Sequence, residues 1–409
     1  MEDLKTYKLG DLVSIQSGGT PNKAIASYWG GNIPWISAKT MYVDFITDSD
    51  LYITEEGLKN GSKLAPVGSI LLLTRGSGLF NRIPVCMVNN EVAYNQDIKC
   101  ITVKENSFTS NLFIFYWLYS HKELLSGILE TTGIGAGKID TSRLLDIDVH
   151  LPDLETQHRY IQICSSILEK IEVNKRINDN LEQQAQTLYK SWFVDFEPFK
   201  DGEFIESEIG EIPAGWSIVK FGDIVEIPKK TINPQKFPDT IFNHYSLPAC
   251  DNGLIAEVQA GKDIMSNKII LQSNTTLFSK LNPRIKRIWF TCEVLPNSIC
   301  STEFIPYRAK IDTEYSYIFS IVNSDAFYSS VMGCVNGATG SHQRFHAEDT
   351  EDFLCAYNKD AVNEFSKLIE PVLKQMHDLR QENVKLALIR DTLLPKLMSG
   401  ELKINDLDC

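Results

Sequence analysis

The sequence predicts an α+β protein in which two globular, β-rich halves with short helices alternate with two long helices that pair with each other. Three observations predict it: an internal repeat, short β-branched and aromatic runs broken by turn residues inside each repeat, and a four-three apolar stripe that closes each repeat. The 409 residues suffice for two or three domains at roughly 100 to 200 residues each.

The repeat is announced by a phrase. Leu9-Gly10-Asp11-Leu12-Val13 opens the first half and Phe221-Gly222-Asp223-Ile224-Val225 opens the second. Each half continues with runs that read as strands, namely Gly68 to Thr74 and Glu91 to Val103 in the first, Thr275 to Leu281 and Arg287 to Leu295 in the second. A glycine-rich turn follows each time, Thr132 to Lys138 and then Asn336 to Gly340. A long helical segment comes after both.

In the first helical segment Tyr160, Cys164, Ile167, Ile171, Asn174, Asn178, Leu181, Ala185, Leu188 and Trp192 recur in steps of four and three, the seam of a coiled coil. In the second, Phe365, Ile369, Val372, Met376, Leu379, Asn383, Leu386, Arg390 and Leu393 keep the same rhythm. One offset of 205 residues carries Tyr160 to Phe365, Asn178 to Asn383, Leu181 to Leu386 and Leu188 to Leu393. Two unrelated amphipathic helices have no reason to match in register, so the helices are expected to pair. A polar residue at a seam position costs stability and fixes register and partner. Pro371 interrupts the second stripe and is expected to kink the helix or mark its start. About 30 to 38 helical residues make a rod of roughly 45 to 57 Å.

Composition bounds the function. Hydrophobic residues at 43% and charged residues at 23% are those of an ordinary globular protein, and no apolar run approaches the ~20 residues of a membrane span. The opening Met1-Glu2-Asp3-Leu4-Lys5 lacks the pattern of a signal peptide, so a cytoplasmic protein is expected. Nine scattered cysteines without a C-x-x-C pair point to reduced thiols. The net charge of -13 runs against nucleic-acid binding by electrostatics alone, although Lys280, Arg284, Lys286 and Arg287 form a local basic cluster.

The stretch Ser191-Trp192-Phe193-Val194-Asp195-Phe196-Glu197-Pro198-Phe199, followed by Glu206 to Trp216, resembles the central junction of the specificity subunits of type I restriction-modification enzymes. Arg390 to Leu402 is similar to the end of that family's second conserved helix. The opening phrase, with Gly18-Gly19-Thr20-Pro21 and Ile33-Pro34-Trp35-Ile36, is similar to the start of a target recognition domain. The resemblance implies two target recognition domains, expected at 1–152 and 200–357, and two conserved helices, expected at 153–199 and 358–409, that form an antiparallel coiled coil. It also implies that each recognition domain reads one part of a bipartite DNA site while the helices set the unread spacer. Chemistry then belongs to partners: two modification subunits that methylate adenine with S-adenosylmethionine, and two restriction subunits that consume ATP. No cofactor is expected on this chain.

The residues agree with a non-catalytic role. No acidic or amide residue followed by two prolines and an aromatic is present to grip a flipped adenine. Gly133 to Lys138 is one residue short of a P-loop, and Ile139 stands where a hydroxyl would meet magnesium. Asp97-Ile98-Lys99 matches half of a nuclease motif without a metal-binding companion, and His342 with His346 offers only two zinc ligands.

Arg reads guanine, and Asn or Gln reads adenine, when they project from loops into the major groove. Lys39, Arg75, Asn81, Arg82, Asn95, Gln96 and Lys138 in the first half fit that description, and Lys280, Arg284, Arg287, His342, Gln343 and Arg344 in the second. Half or more of protein–DNA hydrogen bonds go to phosphate and sugar, so these residues are expected to meet the backbone more often than a base. The competing expectation is a scaffold that binds only protein.

Overall fold

The computed structural model describes residues 4–105, 108–133, 135–335 and 343–402. The chain divides into two compact units, one of Met1–Lys170 with Leu386–Cys409 and one of Ile171–Lys385.

In the first unit, strand Lys5–Lys8 pairs antiparallel with strand Asp148–Leu151, so the beginning and end of the globular part are neighbours. A single helical turn, Leu9–Leu12, leads into Val13–Ser17, the edge of a five-stranded sheet that continues through Ile98–Val103, Ile70–Leu73, Val85–Val88 and Phe45–Ile46. Every residue of Ile70–Leu73 and Val85–Val88 is buried, which is why these strands read as unbroken apolar runs instead of alternating. Helix Asn111–Ser120 buries all of Phe113 to Tyr119, as expected of a helix covered on every side. A second sheet runs Tyr52–Ile53, Trp29–Ile36, Val92–Tyr94, Leu64–Ala65, and a small third one runs Leu129–Thr131, Gly137–Ile139, Arg75–Gly76.

The second unit repeats the plan. Strand Ser217–Lys220 pairs with Leu354–Tyr357, the turn Phe221–Ile224 follows, and a sheet of Val225–Glu226, Phe304–Ala309, Thr275–Ser279 and Ile288–Thr291 packs against helix Tyr315–Asn323. The repeated phrase has a packing reason. A Cβ on Gly10 would lie 3.2 Å from the Leu145 carbonyl oxygen, and one on Gly222 would lie 3.0 Å from the Glu351 Cβ, so both turns pack closely against the neighbouring segment. A lysine closes each turn: Lys104 Nζ donates to the Gly10 carbonyl at 2.6 Å and Lys310 Nζ to the Gly222 carbonyl at 3.0 Å. The units diverge in their middles, where the second sheet has four strands in one and five in the other, yet both keep a parallel pair there, Trp29–Ile36 with Val92–Tyr94 and Ile241–Tyr245 with Ser298–Ser301.

The long helices are Leu154–Phe193 and Lys359–Met398, each of 40 residues. Within the second unit they pair antiparallel. Asn174 Nδ2 donates to Asn383 Oδ1 and to Glu382 Oε2, both at 2.8 Å, and Asn383 Nδ2 donates to the Ile171 carbonyl at 3.3 Å. Further along the first helix and further back along the second, Trp192 meets Phe365 with ring centroids 6.0 Å apart. Asn383 therefore faces Asn174, while its repeat counterpart Asn178 sits one turn on. Of the expected seam, Ile171, Asn178 and Met376 are buried and Leu181, Leu188, Asn383, Leu386 and Leu393 are partly buried. The buried stripe of the first helix moves from Leu188 and Trp192 to Tyr189 and Phe193 near its end, the drift of a 3.6-residue helix against a strict heptad. The second helix neither starts nor stops at Pro371, whose missing N–H only leaves the Lys367 carbonyl without its usual donor.

Candidate nucleic-acid interface

Strand Ile70–Leu73 ends beneath a buried Thr74, whose hydroxyl donates to the Asp97 carbonyl at 3.0 Å, and the chain then emerges at Arg75. Arg75 stands directly opposite Lys138 on the antiparallel pair Arg75–Gly76 and Gly137–Ile139. The glycine-rich stretch before Lys138 joins Gly137–Ile139 to its other antiparallel partner, Leu129–Thr131: Thr132 N donates to the Ala136 carbonyl at 2.8 Å and Gly135 adopts a positive φ of 77°. It opens into a strand rather than a helix, so it lacks the converging N–H groups of a phosphate-cradling P-loop.

Gln96 and Lys99 line the same recess as Arg75 and Lys138, with Ser17, Thr74 and Thr141 around them. Lys99 Nζ donates to Ser17 Oγ at 2.6 Å; burial, and then the charge of Arg75, push its ammonium below the usual lysine range. Three cations therefore share one depression with a single lining carboxylate, Asp97, which leaves an excess of positive charge that an entering anion would offset. Lys138 has a loose ion pair with Asp140 at 3.4 Å, and Asp140 is held down at about 2 chiefly by the Ser142 hydroxyl and the backbone N–H groups it caps. Among the described residues no carboxylate forms an ion pair with Arg75. Gln96 Oε1 accepts from Thr20 Oγ1, and Asn95 is buried with its Oδ1 accepting from the Asp97 N–H, so Asn95 shapes the turn that presents Gln96. Asn81 and Arg82 follow the exposed turn Ser77–Phe80, and the Arg82 guanidinium lies 5.6 Å from the centre of the Tyr42 ring, which is 72% exposed. Lys39 is exposed on the neighbouring turn Ala38–Thr40, capped by Ser37.

In the second unit the same place is built from Leu281 bridging to Arg344, with Asn282 N donating to the Gln343 carbonyl at 2.8 Å. Leu281 is thus the counterpart of Arg75 and Arg344 of Lys138, while Lys280, whose N–H donates to the Glu303 carbonyl at 2.9 Å as that of Thr74 does to the Asp97 carbonyl, stands in the place of Thr74. The ionic detail differs. Arg344 is clamped by both oxygens of Glu303 at 3.1 Å, and Arg287 by both oxygens of Asp251 at 2.6 and 3.0 Å with only 14% of its side chain exposed. Lys286 donates to the Asn323 carbonyl at 2.6 Å. Arg284 is exposed at the loop tip, Gln343 is half-buried, and His342 lies outside the described residues. The expected basic cluster is therefore divided: Arg287 and Lys286 are engaged in the fold, Lys280 is half-buried and Arg284 is exposed.

Sequence reasoning did not count Lys99 and Tyr42 among the readers. Period-two alternation within Ile98–Val103 singles out Lys99, which is half-buried between the buried Ile98 and Cys100. Tyr42 carries no sequence signal beyond its neighbour Lys39. Among the described residues no cluster of three His, Cys, Asp or Glu side chains is placed to hold a metal, and no helix is long and apolar enough to cross a membrane.

Residues 1–183 match the family of the type I restriction modification DNA specificity domain. The chain is 25% identical to the MjaIX specificity subunit of Methanocaldococcus jannaschii over 99% of its length and 95% of that protein's. It is 29% identical to the EcoR124I/EcoR124II specificity subunit of Escherichia coli over 45% of each chain. The crystal structure of the type I system S subunit from M. genitalium shares the fold at a TM-score of 0.57 and 13% identity, covering 97% of this chain and 96% of that one. Repeat, paired helices and relatives converge: residues 1–183 carry the family's DNA specificity domain, and nearly the whole chain is similar to a specificity subunit of a type I restriction-modification system.

Proposed function

We propose that this chain selects the DNA site for a type I restriction-modification complex, each unit reading one half of a bipartite target. The paired helices set the spacer and dock the modification subunits. The observation that carries the reading is the repeated position itself: in both units the chain leaving a central strand meets the segment preceding a short helix, and both places carry cations, Arg75 opposite Lys138 in the first and Arg344 opposite Leu281, with Lys280 next to it, in the second. The candidate readers narrow accordingly to Arg75, Gln96, Lys138, Asn81, Arg82 and Lys39 in the first unit and Lys280, Arg284, Gln343 and Arg344 in the second. Asn95 and Arg287 act as supports for their loops.

The chain performs no chemistry. Two modification subunits supply adenine methylation from S-adenosylmethionine, and two restriction subunits supply ATP-driven translocation and cleavage, all in the cytoplasm. The net charge of -13 fits this division, since a chain so acidic gains little from counterion release and leaves much of the grip to its partners. The test is capture of duplex fragments by the chain mixed with its modification subunits, followed by sequencing and by mapping of methylated adenine. Enrichment of one bipartite motif is expected. Assembly without any sequence preference would favour a scaffold that binds only protein.

A further inference from the structure

In each unit a loop joins two neighbouring strands of the core sheet. In the first it runs from Ile70–Leu73 to Val85–Val88, and in the second from Thr275–Ser279 to Ile288–Thr291. Each loop makes a reverse turn at its tip: Asn81 N donates to the Gly78 carbonyl and Ile285 N to the Asn282 carbonyl, both at 3.0 Å. At that turn each loop holds an apolar side chain out to solvent, Phe80 at 51% exposure and Ile285 at 47%. A buried neighbour anchors each, Leu79 beside Phe80 and Pro283 near Ile285, and exposed arginines flank them, Arg82 and Arg284. Phe80 also stands over the readers' strand, because a Cβ on Gly137 would come within 3.5 Å of its ring.

One exposed apolar residue on a protein surface needs no explanation. Two at the same turn of a structural repeat, in loops of unlike sequence and each beside a cation, do. Proteins that deform DNA hold the phosphates with cations and press an apolar wedge into the base stack, at a cost of a few kcal/mol per unstacked step. We propose that Phe80 and Ile285 are such wedges, one entering the base stack at each half-site and loosening a base step there. The proposal rests on the DNA-reading function above. Phe80, whose ring has a face to stack on a base, contributes more than Ile285.

The experiment uses the complex assembled with modification subunits and duplexes carrying the motif found by methylated-adenine mapping. In one series, each nucleotide in turn is replaced by an abasic residue, which removes stacking at that step beforehand. On the intact duplex Phe80→Ala is expected to bind about tenfold more weakly than the unchanged complex. The deficit should shrink to within about twofold on an abasic duplex of one half-site only. Ile285→Ala should be rescued in the other half-site, and Phe80→Trp should bind the intact duplex normally. Equal deficits on all duplexes, or no deficit on any, overturn the wedge. Variants that assemble poorly with the modification subunits, yet once assembled bind DNA normally, assign the two side chains to a protein interface and overturn it as well. If the unchanged complex shows no sequence preference, the DNA-reading function itself fails and the wedge with it.

Discussion

Arg75 and Lys138 face one another with Lys99 behind them, so removing two of the three charges should lower the number of phosphates neutralised. Each lost phosphate contact reduces the slope of log affinity against log salt by about 0.9. The double variant Arg75→Ala with Lys138→Ala is therefore expected to flatten that slope by nearly ~2 in the assembled complex, measured by fluorescence anisotropy across a salt series. Arg287 gives the opposite result. Its guanidinium is held by Asp251 and mostly covered, so Arg287→Ala should cost about 1 kcal/mol of stability in urea unfolding and leave the salt slope alone. Lys122 supplies a pH prediction. Its ammonium lies 3.6 Å from the centre of the Tyr119 ring, and burial pushes its pKa down to about 8. Between about pH 8 and the ordinary lysine value of 10.5 the unfolded chain carries the proton and the folded chain has lost it. The folded state is penalised below about pH 8 and relieved as pH rises from about 8 to 10.5, so Lys122→Met should lose its stability advantage over the native chain across that window. At this scale the sequence showed residue types without their partners. Arg75 and Arg287 look alike as loop arginines beside strands, and only the fold brings Asp251 to one of them.

The long helices were the most legible elements, because a four-three stripe repeated at a fixed offset is a statement about backbone geometry that needs no tertiary information. The partner of each seam position was less so. The repeat aligns Asn383 with Asn178, but antiparallel pairing places it against Asn174, whose side chain is wholly buried. An amide pair in an apolar seam costs stability and penalises every shifted register. Replacing both, Asn174→Leu with Asn383→Leu, should raise the midpoint of thermal unfolding and at the same time release alternative registers. Light scattering would show self-association, and the species would broaden on a sizing column. A higher midpoint with a single uniform species would mean that the amides do not select register. Strand runs such as Ile70–Leu73 were legible for a different reason, as apolar stretches too short for a helix. The third small sheet of the first unit was not, since Arg75–Gly76 is two residues long and is defined wholly by its partner Gly137–Ile139.

For the whole molecule, the proposed ruler makes the plainest demand. A heptad inserted at facing points of both helices keeps the seam in phase and adds roughly 10 Å of rise. At ~3.4 Å per base pair the preferred target should gain about three base pairs of spacer and keep both half-sites, as read by mapping methylated adenine in cells carrying the variant. An unchanged spacer with altered half-sites would refute the ruler. The two-part plan was legible from the Gly-Asp phrase, and the structure supplies its cause in the turns where a Cβ would press on the neighbouring segment at 3.0 to 3.2 Å. What distinguishes the two middles was not legible, because a four-stranded and a five-stranded sheet differ through long-range pairing that no local pattern records. The strand pairs Lys5 with Leu151 and Ser217 with Tyr357 carry one more consequence. Each globular part leaves its scaffold and returns to it across a single ladder, about 5 Å wide. Under the proposed function, grafting a new globular part at those two points is expected to change one half-site and keep the other, with no helix residue changed, as methylated-adenine mapping would read.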